Sequence, residues 1–125
     1  MWSPTLLTGV ALGGMLGALA RYALGAALAP LVLKSGFPWV TLLINVSGSF
    51  ALGLLSALAL RGTVSPEARA ALGVGFLGAY TTFSTFSVDL DGMLLRGDTL
   101  RAGAYLLGNV GLGLLAALAG RVVGR

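Results

Sequence analysis

Between Trp39 and Leu60 the chain carries no charged side chain, and three further stretches of similar or greater length are almost as apolar. A run of ~20 apolar residues is long enough to cross the ~30 Å hydrocarbon core of a bilayer as an α-helix. With no water there to satisfy backbone N–H and C=O groups, each segment must close its own hydrogen bonds, which selects helices. The spans read as about residues 5–33, 39–60, 66–95 and 99–123. Lys34-Ser35-Gly36-Phe37-Pro38 is a breaker turn, Arg61 to Arg69 a polar connection, and Arg96-Gly97-Asp98 the last turn. Pro66 suits the first turn of a helix. The 125 residues hold four spans as one integral membrane domain, 1–125, with no separate soluble domain. Charged residues make up 10% of the chain, against about 25% in a soluble domain. Ala18-Leu19-Ala20 could end a cleaved leader, but the residues before it include no Lys or Arg and the apolar stretch is too long.

The side chains that are missing exclude whole chemistries. Without Cys or His there is no thiol nucleophile, disulfide, imidazole acid–base pair or ordinary zinc site, and no enzyme is expected. The acidic residues Glu67, Asp89, Asp91 and Asp98 all lie in the second half. The net charge of +4 is dispersed over loops and ends, unlike a nucleic-acid surface. Arg61, Arg69, Arg121 and Arg125 fall on one side of the four spans, and Lys34, Arg96 and Arg101 on the other. Lys and Arg in cytoplasmic loops set orientation, and four against three is almost no bias. Insertion both ways up, and with it an antiparallel homodimer, is one reading; a single orientation fixed by one dominant residue is the other.

Within the third span, Thr81-Thr82-Phe83-Ser84-Thr85-Phe86-Ser87 places five hydroxyls and two aromatic rings together. In hydrocarbon such a run is tolerated only when buried in protein or lining a passage. Gly78 followed by Thr81 and Thr82, whose hydroxyls compete with the backbone, predicts a broken third helix. Carbonyls freed there need a partner: a bound cation, as in broken transporter helices, or water or a neighbouring helix. Asn45 and Ser49 share a face of the second span, Tyr105 and Asn109 a face of the fourth. Helix–helix hydrogen bonding accounts for each singly, at ~0.6 kcal/mol; together they form a line of neutral donors suited to an anion. Phe83 and Phe86, three apart, could add the positive ring edges of their quadrupoles, although core packing is the ordinary role of such a pair. Arg21, the one basic residue inside an apolar segment, either snorkels to headgroups or raises anion concentration in a vestibule. Asp89 and Asp91 follow the break and are expected to reach a vestibule. Gly9, Gly13, Gly17 and Gly25 lie on one four-residue register, as do Ala71, Gly75 and Ala79, which predicts close helix packing.

Two motif matches carry nothing. Gly73 to Gly78 fits GxGxxG without a surrounding strand–turn–helix unit, and Asn45-Val46-Ser47 fits a glycosylation acceptor in mid-membrane.

Three stretches resemble the signatures of the Fluc (CrcB) fluoride channel family, in the family's order and across the whole chain. They are Gly13-Gly14-Met15-Leu16-Gly17-Ala18-Leu19-Ala20-Arg21-Tyr22, Thr41-Leu42-Leu43-Ile44-Asn45-Val46-Ser47-Gly48-Ser49-Phe50, and Gly75 through Ser87. The resemblance implies an all-α membrane protein of four spans forming a dual-topology antiparallel homodimer with two fluoride pores. It implies a passive fluoride-selective channel in a bacterial or archaeal cell membrane, releasing cytoplasmic fluoride and lowering its toxicity. Its implied fluoride pathway comprises Asn45, Phe83, Ser84, Thr85, Phe86, Tyr105 and Asn109, with ring edges of Phe83 and Phe86 facing the ion and Asn45 donating to it. Carbonyls of Gly78 and Thr81 match positions that hold a central structural Na⁺ at the dimer interface. Arg21 matches the vestibule arginine, Asp89 stands where many relatives have Glu, and Gly113 where some carry a hydroxyl. The rival is a small four-helix proton-coupled multidrug exporter, which needs a membrane carboxylate; the first, second and fourth spans have none. A non-transporting assembly protein would leave the hydroxyl run without a purpose.

Overall fold

A computed structural model describes residues 3–125. Helix α1, Pro4–Ser35, begins with Pro at a position whose N–H would be unpaired anyway. It ends at Gly36, whose φ of 68° is the left-handed conformation that lets its N–H reach back to the Val32 carbonyl. Helix α2, Trp39–Leu60, is the uncharged run. The third span, Pro66–Leu95, is divided. Its first part, α3 (residues 66–80), starts at the Ser65 cap, whose hydroxyl accepts the Ala68 N–H, and is π-helical over Ala70–Leu77. Thr81 and Thr82 are extended, and α4, Phe83–Leu95, follows. Helix α5, Thr99–Val123, contains a π-helical stretch at Gly108–Leu112. All four spans are long and apolar enough to cross a membrane, at the boundaries that charge and breaker residues mark in the sequence. This is a multi-pass membrane protein.

The helices pair as α1 with α3 and α2 with α5. Glycine makes both contacts possible: a Cβ on Gly17 would fall on the Phe76 carbonyl oxygen, and one on Gly120 on the Phe50 carbonyl oxygen. Gly9 and Gly13 also approach α3 at Ala71, but Gly25, on the same register, has nothing within 4 Å. Close packing therefore stops short of the end of the glycine line. The interior is small. Tyr105, Ile44 and Met93 are the largest fully buried side chains, and Phe86, Met93, Ala102 and Tyr105 form its apolar cluster.

Candidate functional site

The break is held by side chains from two other helices. Asn45 of α2 accepts the Thr82 N–H on Oδ1 at 2.9 Å and donates Nδ2 to the Thr82 carbonyl at 3.0 Å. A second Nδ2 bond, 2.8 Å, goes to Asn109 Oδ1 on α5. Arg21, near the middle of α1, donates Nε to the Ala79 carbonyl at 3.2 Å. Unwound backbone in hydrocarbon needs such partners, because an unpaired polar group there costs several kcal/mol. Thr81 bonds its own hydroxyl back to the Leu77 carbonyl. Thr82 caps α4, its hydroxyl accepting the Thr85 N–H at 3.1 Å. Gly48 brings α2 against this point, since a Cβ there would meet the Thr81 methyl. Among the described residues, no side-chain or turn hydrogen bond goes to the carbonyl oxygens of Gly78 or Thr81. Carbonyl oxygens at a helix break are the kind of group that can hold a hard cation such as Na⁺.

The five hydroxyls divide into two groups. Thr81 and Ser87 bond back to carbonyls of their own helical turns. Thr82, Ser84 and Thr85 cluster at the start of α4, with Thr82 donating to the Thr85 hydroxyl at 3.1 Å and lying 3.4 Å from that of Ser84. The aromatic residues also separate. Phe86 is buried, its ring 5.4 Å from that of Tyr105, whereas Phe83, 5.8 Å from Phe86, is 79% exposed. Phe86 thus joins the core cluster and the cleft at once. That cleft, about 290 Å³, is lined by Asn45, Ser49, Thr82, Phe83, Phe86 and Asn109, among others. No Asp, Glu, Lys or Arg is among its lining residues.

Residues 8–121 match the sequence profile of the family described as "CrcB-like protein, Camphor Resistance (CrcB)". A protein of Deinococcus radiodurans named "Fluoride-specific ion channel FluC" is 57% identical over 115 residues, 92% of this chain and 91% of that protein. Proteins of the same name in Thermus thermophilus and, as FluC 1, in Symbiobacterium thermophilum are 48% and 46% identical. The Thermus match covers 92% of this chain and 91% of that protein, the Symbiobacterium match 95% of each. The chain belongs to the CrcB family.

In this CrcB chain the break gathers most of the residues singled out in the sequence. Asn45, Asn109, Phe83 and Phe86 line one cleft; Ser84 and Thr85 are not among its lining residues but touch the hydroxyl of Thr82, which is. Tyr105, whose carbonyl accepts from Asn109 Nδ2 at 3.0 Å, donates its hydroxyl to Asp89 Oδ2 at 2.9 Å. Asp89 also accepts from Thr41 at 3.3 Å and lines open clefts with Thr85 and with Arg96. Arg21 grips the Ala79 carbonyl and Asn45 the backbone of Thr82, so in sequence Thr81 falls between these two clamps and Gly78 just before them. Two participants escape a reading of the sequence. Thr41 is one α-turn before Asn45, so the register 41, 45, 49 carried the signal. The Ser47–Tyr80 hydroxyl pair, 3.0 Å apart, joins α2 to α3 with no comparable pattern.

Proposed function

We propose that the protein is a passive, fluoride-selective channel that lets fluoride leave the cytoplasm, working as an antiparallel homodimer with two pores. The observation that carries this is the mid-membrane cleft of neutral donors and phenyl rings, which holds no carboxylate to couple transport to protons. Fluoride is small and tightly hydrated, so its path must replace water with closely spaced hydrogen-bond donors. Ser84, Thr85 and Asn109 offer such donors, the ring edges of Phe83 and Phe86 offer weaker positive partners, and the first turn of α4 adds backbone N–H groups. Asn45 can donate to the ion only by releasing Asn109 or Thr82, since both its amide hydrogens are engaged. In this reading Asp89, which borders an outer cleft with Arg96 and holds the Tyr105 hydroxyl, marks one approach, while Arg21 acts from the level of the break. The relatives' printed name supports the choice of ion.

The dimer is supported by what one copy leaves uncovered: Ser84, Thr85 and Phe83 are exposed at membrane depth, where lipid offers hydroxyls no partner. In the same reading the Gly78 and Thr81 carbonyls hold a structural Na⁺, which would neutralise carbonyl dipoles to which no side chain donates. Replacing sodium by a large organic cation should lower the unfolding temperature; an unchanged temperature after exhaustive exchange removes the ion from the proposal. The function itself is tested by efflux from liposomes containing the purified protein. Rapid fluoride loss with chloride retained is expected. Comparable loss of both removes the selectivity, and loss of neither from folded protein removes the channel.

A further inference from the structure

A second chamber opens beyond the cleft. It is about 610 Å³, lies between α2 and the start of α3, and is lined by Ser56 and Arg69. Leu52 and Gly73 belong to the walls of both spaces, so the two meet at a neck formed by those residues. The neck exists because position 73 has no side chain: a Cβ there would come within 3.2 Å of Leu55 and 3.7 Å of Leu52. Along α2 the residues facing this groove include Asn45, Ser49, Leu52 and Ser56, spaced four, three and four apart, which is one helix face. Among the described residues neither the Ser49 nor the Ser56 hydroxyl makes a hydrogen bond. Ser47, pointing elsewhere on α2, bonds back to the Ile44 carbonyl. Hydroxyls of a spanning helix that face an open groove and lack a protein partner call for water or an ion. At the outer end, the exposed Arg69 forms no ion pair among the described residues.

We infer that this groove is the other half of the anion path, with Ser49 and Ser56 as donors, Gly73 as its neck and Arg69 as the charge that draws small anions to its mouth. The inference rests on the channel reading above and extends it from the break to the membrane surface. A single unpaired guanidinium beside a cleft with low-dielectric walls raises local anion concentration, and salt screens that effect over ~10 Å at 0.1 M.

Because the chain has no cysteine, Ser56→Cys introduces a unique thiol. The whole protein in liposomes is treated with a small anionic methanethiosulfonate, and fluoride efflux is followed before and after. Modification should slow efflux several-fold, with recovery on reduction by dithiothreitol. Ala59→Cys, in the same chamber, serves if Ser56→Cys does not fold. Gly73→Val should slow efflux without modification. Arg69→Gln should slow it several-fold at low salt, the deficit shrinking as inert salt is added, which a purely structural defect would not do. A thiol that does not react, or one fully modified with efflux unchanged, overturns the inference. Absence of fluoride efflux from the unmodified wild type overturns the channel itself, so the two failures are separable.

Discussion

Asn45 is the residue on which the site's geometry turns. Its carboxamide satisfies both backbone groups of Thr82, 37 positions away, and fixes Asn109 as well. Asn45→Leu leaves three polar groups unpaired in a partly buried place, at about 1–3 kcal/mol for each one that finds no substitute. Lower thermal stability, loss of fluoride efflux and fast hydrogen exchange at the Thr82 amide are expected together. Asn45→Asp keeps an acceptor for that amide, so protection of Thr82 should return while the link to Asn109 stays broken. Equal exchange at Thr82 in both variants would contradict the clamp. Phe86 is different, because it packs in the core and also lines the cleft proposed as the path. Phe86→Ile loses the ring beside Tyr105 and should cost about 1–2 kcal/mol, slow efflux and leave the proposed dimer intact by size-exclusion chromatography. Undiminished efflux from the folded variant would remove the ring from the pathway. The sequence marks Asn45, Phe86 and the hydroxyls as polar or aromatic intruders in an apolar chain. It does not reveal that Asn45 is bound to Thr82, since that contact depends on how α2 packs against the break.

At the scale of elements, charged residues and breakers make the spans legible, because helix ends in a membrane protein coincide with the return of water. The break is legible too, since Thr81-Thr82 offers the backbone competing hydroxyls. The π-helical stretches at Ala70–Leu77 and Gly108–Leu112 are not legible. An apolar, glycine-rich segment has no polar stripe from which to read its period, so a shift from 3.6 residues per turn leaves no mark. The glycine register illustrates the same limit. It aligns Gly17 and Gly25, but only Gly17 touches α3. Gly17→Ala drives a methyl into the Phe76 carbonyl and should destabilise by about 1–3 kcal/mol or more. Gly25→Ala, with open space around it, should be neutral or stabilise by up to about 1 kcal/mol through helix propensity. Thermal unfolding in detergent separates these outcomes; equal shifts would mean that Gly17 does not pack α1 against the Phe76 carbonyl of α3.

For the whole molecule, orientation is the property on which the proposed antiparallel pair depends, and the chain's charges make it adjustable. Four cations on one side face three on the other, so neither orientation is strongly favoured. Replacing Lys34→Gln and Arg96→Gln leaves four against one and should insert nearly all copies one way. Arg121→Gln and Arg125→Gln with Leu95→Lys, at a position 81% exposed, leave two against four and should insert them the other way. None of these residues lines the cleft at the break, and Arg96 borders only the outer cleft beside Asp89. Each biased chain expressed alone would lack antiparallel partners. The exposed hydroxyls of Ser84 and Thr85 and the ring of Phe83 would then face lipid, and cells should lose fluoride resistance. Co-expression of the two biased chains supplies opposite orientations and should restore it. Resistance from either biased chain alone, with its single orientation verified by accessibility labelling, would show that the pore needs no inverted partner. The uncovered polar face would then require cover by a parallel copy.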